Sequence, residues 1–298
     1  MTRTGSVLGE LARFRRLVVQ ARRGTGMRPG DHRVPGRPQP SGVEPEAHAA
    51  YAPGDDLRHL DWNALARLDA LLVRRFTAER EIVLHLLVDA SASMGVPADD
   101  GKLAAATALA TALAHVALWS GDAVRLALLG DAAGELPLVR DRGGALRVHR
   151  WLEAAAPGGA VALDTALTAW AGRHRTPGVA VVASDLLVEP AVVERGVGAL
   201  RRRGDDVTLL HVVGPSDVDP GRQLSNGLFT DVETGATHPM KLTPQVRAAY
   251  ARLLAEHWQA LADVAHRLGA RYVRVRSDTP AADVVLRDLA SAGLVRQR

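Results

Sequence analysis

The chain has 298 residues, 47% of them hydrophobic and 23% charged, enough for a full α/β core with an appended segment. It has no cysteine, which excludes disulfide frameworks, thiolate metal sites and cysteine nucleophiles and is compatible with a reducing cytoplasm. The pI near 10.0 suggests a polyanion binder, but residues 1–40 hold nine arginines against Glu10 and Asp31 and the remainder is slightly acidic, so nucleic acid is not expected as a partner of the main domain.

Arg13, Arg15 and Arg16 interrupt what would have to be the apolar core of a signal peptide. Leu8, Leu11, Phe14 and Val18 instead fall at helical spacing, giving a short basic amphipathic helix. Residues 24–53 are rich in Gly and Pro, so loops, turns and short strands are expected there. In YAPGDDLRHLDWNALARLDALLVRRF, Pro53 and Gly54 set a turn and residues 71–76 read as a strand. Asp55, Asp56 and Asp61 are read as structural partners of Arg58, Arg67 or Arg74, with a partner surface as the alternative.

The stretch IVLHLLVDASASMG, residues 82–95, is the one around which the rest of the chain is organised. Residues 82–88 form an apolar run of buried-strand length that ends in Asp89, Ser91 and Ser93, alternating through small residues. Open α/β sheets place ligands at such strand ends. One carboxylate and two hydroxyls are hard oxygen donors of the kind Mg²⁺ or Mn²⁺ takes; the same small residues could equally cap the helix that comes next.

Residues 103–119 are apolar but alanine-dominated, with Thr107, Thr111 and His115, which reads as a buried helix and not a membrane span, so no stable membrane insertion is expected. A strand at 124–129, a short edge strand at 136–139 and a helix at 145–155 come next, and after the break at Pro157-Gly158-Gly159 helix resumes over 163–170. A second apolar run, 179–183, ends in Ser184-Asp185, and a third strand spans 207–213. The Arg201 to Arg203 cluster reads as a solvated helix end. Residues 226–242 read as a hairpin excursion turning near Thr234-Gly235. Thr243 caps a long helix whose apolar stripe is Val246, Tyr250, Leu253, His257, Leu261, Val264 and Leu268. His257 and His266 have no second ligand at useful spacing and read as ordinary histidines. A strand at 272–275 and a helix at 281–294 close the chain.

Strands alternating with helices give an α/β fold, a doubly wound, mostly parallel sheet of Rossmann-like type, with residues 1–80 as an N-terminal segment and 81–298 as the main domain. Two parallel strands ending in acids would bring Asp89 and Asp185 to a common crevice. With Asp89-Ala-Ser91-Ala-Ser93 after one strand and Ser184-Asp185 after another, the chain resembles a von Willebrand factor A domain. The resemblance implies a metal-ion-dependent adhesion site: Asp89 acting through water, Ser91 and Ser93 as ligands, Asp185 anchoring a water, and a partner's carboxylate completing the shell. One expected donor is missing, because Gly158-Gly159-Ala160-Val161 places valine where such sites supply threonine, with Asp164 and Thr165 only nearby.

A narrower resemblance covers nearly everything from Tyr51 onward. YAPGDDLRHLDWNALAR, the charged strand after it, GLFTDVETG and the closing SDTP resemble the bacterial domain-of-unknown-function family fifty-eight. It implies a von Willebrand factor A-like interaction module working with a MoxR-type AAA+ ATPase in the assembly or activation of a client protein. Catalysis fits less well: a haloacid-dehalogenase-type phosphotransferase expects an acid where Ser91 stands, and a serine hydrolase expects glycine before its nucleophile. A third reading, a basic-tail adaptor for nucleic acid or a membrane surface, has only residues 1–40 behind it; aromatics, at 4%, are too sparse for base stacking.

Overall fold

In the computed structural model, residues 9–22, 47–51, 57, 60–75, 82–130, 134–219, 226–230, 235–241 and 243–298 are described. The chain divides into two units, residues 28–81 and residues 1–27 together with 82–298.

Arginines and apolar residues alternate too closely at the start for a long helix. A 3₁₀ helix, Leu11–Arg16, buries Phe14 and passes directly into β1, Leu17–Val19, where the expected helix gives way to a strand. Leu8 lies outside the described residues.

In the small unit, β2 (Ala47–Ala50) pairs antiparallel with β3 (Leu72–Arg75) around α1 (Trp62–Leu68). Asp61 caps α1: its Oδ1 accepts the Asn63 N–H at 3.0 Å and the Ala64 N–H at 3.1 Å. Asp61 thus serves as a helix N-cap, a role the sequence reading, which expected pairing with an arginine, did not assign to it. Asp55, Asp56, Arg58 and the turn at Pro53-Gly54 lie outside the described residues.

The main unit is built on continuous apolar runs. After β4 (Val83–Asp89) come α2 (Lys102–Ser120), β5 (Ala123–Leu129), β6 (Gly134–Val139), α3 (Gly144–Glu153), α4 (Leu163–Arg173), β7 (Val179–Ser184), α5 (Pro190–Arg203) and β8 (Asp206–Val213). The short α6 (Pro215–Val218), the antiparallel hairpin of β9 (Asn226–Thr230) and β10 (Thr237–Lys241), α7 (Pro244–Arg267) and β11 (Arg271–Arg276) come after these. A single turn, α8 (Ala281–Asp283), runs on as the π-helical Val284–Leu289, and β12 (Val295–Gln297) pairs antiparallel with β1.

The sheet order is β11-β8-β7-β4-β5-β6, all parallel except the edge strand β6. Alternate strand residues feed two cores. Leu84, Leu86 and Val88 of β4 join α2, α3 and the closing helix on one face, whereas Leu87, Val182 and Leu209 join α4, α5 and the C-terminal part of α7 on the other. That is the doubly wound arrangement read from the sequence. α2 is apolar on every side and buried along almost its whole length, as a helix sunk between a sheet and other helices must be. It is long and apolar enough to cross a membrane by composition alone, yet 83% of its most apolar window is buried inside the domain.

Two expectations need correction. The stripe on α7 is only half used: Leu261 and Val264 are buried but Leu253 is 59% exposed, and no residue of the first half of the helix is buried. The arginine cluster ending α5 is solvated only at Arg202. Arg201 donates to the Leu268 and Asp205 carbonyls, and Arg203 pairs with the buried Asp205 at 2.6 Å and donates to the His174 carbonyl. Both side chains secure the turn into β8.

Candidate functional site at the carboxyl edge of the sheet

Strand order reverses between β4 and β7, and at such a switch point two neighbouring connections leave in opposite directions and open a crevice at the carboxyl ends of the strands. Register sets Val88 beside Ala183, so Asp89 and Ser184 end their strands side by side. The Ser184 hydroxyl donates to Asp89 Oδ2 at 2.6 Å, while Asp89 Oδ1 accepts the Ser91 N–H at 2.8 Å. The loop is pinned from a third side: Gly158 N–H donates to the Ala90 carbonyl and Ala92 N–H to the Gly159 carbonyl, each at 2.9 Å.

These contacts show what the alternating acid and hydroxyls do. The Ser91 and Ser93 hydroxyls lie 3.0 Å apart and hydrogen-bond each other. Neither hydroxyl caps a helix: Ser91 stands at the N-cap of the 3₁₀ turn Ala92–Gly95 and Gly101 at that of α2, each without a side-chain cap. Burial, the dominant effect, raises the Asp89 pKa against the hydrogen bonds from Ser184 and the Ser91 amide, and the nearby Asp185 charge pushes the same way.

Asp185 reaches the same edge but points to a partner that sequence reading missed. Lys102, the first residue of α2, is 1% exposed, and its Nζ lies 2.9 Å from Asp185 Oδ2 and 3.4 Å from Asp217 Oδ1. Burial works against that ammonium, but the two carboxylates outweigh it and the Lys102 pKa is raised. A signal was present: of 37 basic residues only Lys102 and Lys241 are lysines, and one of them opens the most apolar helix of the chain. A compact ammonium with three donors can serve both carboxylates from one enclosed point.

The network continues outward. Asp217 Oδ2 accepts the Gly214 N–H at 2.7 Å, and Asp100 accepts both the amide and the hydroxyl of Ser216 at 2.9 and 3.0 Å. The Ser277 hydroxyl donates to the Asp100 carbonyl, which adds the loop after β11. Gly214 has no substitute here, because a Cβ would lie 2.1 Å from Asp100 Oδ2.

As they stand in the chain, these donors do not fit a resident Mg²⁺ or Mn²⁺. The hydroxyl pair has a spacing that an octahedral ion with bonds of about 2.1 Å would accept. Both Asp89 oxygens, however, already accept protein hydrogen bonds, Asp185 is held by Lys102, and the position expected to supply a third hydroxyl is Val161. Asp164 is turned away, accepting from Arg195 Nε at 2.8 Å. Among the described residues no group of three or more His, Cys, Asp or Glu side chains could hold a metal.

Fold and edge together define a doubly wound α/β module with a polar loop cluster at its switch point. The chain belongs to the family described as protein of unknown function DUF58, which it matches over residues 48–260. An uncharacterized protein of Mycobacterium tuberculosis is 31% identical over 277 residues, covering 89% of this chain and 84% of that one. Among solved structures, the conserved hypothetical protein BatB from Bacteroides thetaiotaomicron is similar at a TM-score of 0.43 and 16% identity, over 71% of this chain and 98% of that one. The SpRpn10 VWA domain is similar at 0.39 and 15%, over 69% of this chain and 94% of that one.

Proposed function

We propose that this chain is a non-catalytic, cytoplasmic protein-interaction module that docks a protein partner on the loops at the carboxyl edge of its sheet. The partner is read as an AAA+ ATPase of MoxR type, with the module helping it to assemble or activate a client protein. The observation that carries the reading is the composition of that edge. The loops leaving β4, β7 and β8, three neighbouring parallel strands, each expose a large apolar side chain: Val96 at 47%, Leu187 at 51% and Val218 at 42%. Exposed apolar groups on the loops that carry a hydrogen-bonded polar cluster suit a recognition surface. A reaction centre would need a base on its nucleophile, and the Ser91 and Ser93 hydroxyls bond each other.

The test is affinity capture from native lysate with the full chain, followed by identification of the retained ATPase. Wild type is expected to retain a MoxR-type ATPase, and Leu187→Asp or Val218→Asp to lose at least tenfold of it. Leu146→Asp is the control: Leu146 is 44% exposed at the start of α3, which follows the antiparallel strand and so begins toward the opposite edge of the sheet. Equal retention by all variants would remove the carboxyl edge from the interaction.

A further inference from the structure

The sequence motif at this edge suggests a divalent ion, whereas the side chains around it have already assembled a cation of their own. Lys102 is fully enclosed, and its ammonium bridges one carboxylate from the loop after β7 and another from the loop after β8. Lys102 itself ends the loop after β4, so a single positive charge ties together the loops of three adjacent strands. Neutralising converging carboxylates and fixing their loops is what a metal ion does at such an edge.

We propose that the Lys102 ammonium is the built-in counter-ion of this edge and takes the place of a divalent cation, so that the docking surface forms without metal. Three independent features support it. Asp185, the carboxylate at the matching strand end, gives its Oδ2 to Lys102 at 2.9 Å. Asp217 is held in position by the Gly214 amide, so the second carboxylate is built to face the ammonium. The position from which the resemblance led one to expect a further hydroxyl is Val161, a hydrocarbon side chain. A dication brought to Asp185 would therefore meet a buried positive charge and an incomplete shell.

The statement about docking rests on the interaction reading above; the statement about the cation does not, and the experiment addresses the cation alone. Chelator-treated full-length protein is titrated with Mn²⁺, bound and free ion being distinguished by electron paramagnetic resonance, and thermal midpoints are measured with and without Mg²⁺. Wild type is expected to show no saturable Mn²⁺ binding through the millimolar range and no midpoint shift with Mg²⁺ or chelator. Lys102→Met, which strips the counter-ion from two carboxylates, is expected to melt lower, to bind Mn²⁺ at least tenfold more tightly than wild type, and to recover part of its midpoint when Mn²⁺ is added. Saturable Mn²⁺ binding by wild type that is lost in Ser91→Ala would overturn the proposal, as would a folded Lys102→Met with no gain in Mn²⁺ binding. Should Lys102→Met not fold, the wild-type titration decides alone, and neither result depends on whether a partner docks.

Discussion

His85 shows how a buried imidazole contributes to the acid limit of this fold, and His211, which burial also holds at a pKa of about 3, acts in the same direction. It sits inside β4 with no exposed surface, its Nε2 3.2 Å from the Thr176 carbonyl and its ring edge-on to Trp170 at 5.8 Å. Burial, helped by the nearby Arg203 charge, lowers its pKa from 6.5 to about 3. The unfolded chain therefore takes up a proton on this imidazole below pH 6.5 while the folded chain does not, so the contribution of His85 to stability is complete above 6.5 and is lost as pH falls toward 3. The thermal midpoint of wild type should decline across that interval, and His85→Gln, which cannot take up the proton, should flatten the decline while lowering the midpoint at neutral pH. Parallel pH profiles for the two proteins would assign the acid limit to other groups.

At the scale of elements, the sequence was most legible where burial is two-sided. β4, β7 and β8 are largely apolar runs, and their existence and length could be read directly; so could Asp89, Ser91, Ser93 and Ser184-Asp185 at their ends. β1 and β12 could not, because three-residue strands made partly of arginine and glutamine carry no period and exist only through each other. Lys102 was hidden for a related reason: its partners are 83 and 115 residues away, brought near only by the strand order. The α7 stripe misled in the opposite direction, since helical spacing reports a face without reporting how much of that face is covered. That distinction gives a paired prediction. Leu113→Ala in α2, where the side chain has no exposed surface, should cost about 2–5 kcal/mol in chemical denaturation. Leu253→Ala in α7 should cost within about 0.5 kcal/mol. Comparable losses would mean that the first half of α7 is covered in solution.

For the main unit as a whole, the decisive contact closes the ends of the chain onto the last parallel strand. Arg271, at the start of β11, is 3% exposed and donates through Nη1 to Asp206 Oδ2 at 2.6 Å, through Nη2 to the Gln20 and Gly293 carbonyls, and through Nε to the Ala292 carbonyl. The Arg22 amide donates to the same Asp206 oxygen at 2.7 Å. Residues near position 20, the β7 to β8 side of the sheet and the segment leading into β12 thus meet at one guanidinium, whose planar fork alone supplies donors in enough directions. Replacing Arg271 by Met strips a buried carboxylate of its counter-ion and leaves three carbonyls short of a donor, which should cost about 3–5 kcal/mol. The double variant Arg271→Met with Asp206→Leu removes the charge as well as its partner, and it should be more stable than Arg271→Met alone although it lacks more hydrogen bonds. Denaturant unfolding of the wild type, both single variants and the double variant completes the cycle. If the double variant were the least stable of the four, the contact would derive its strength from carbonyl hydrogen bonding and not from charge, and the clasp would hold even with the acid neutralised.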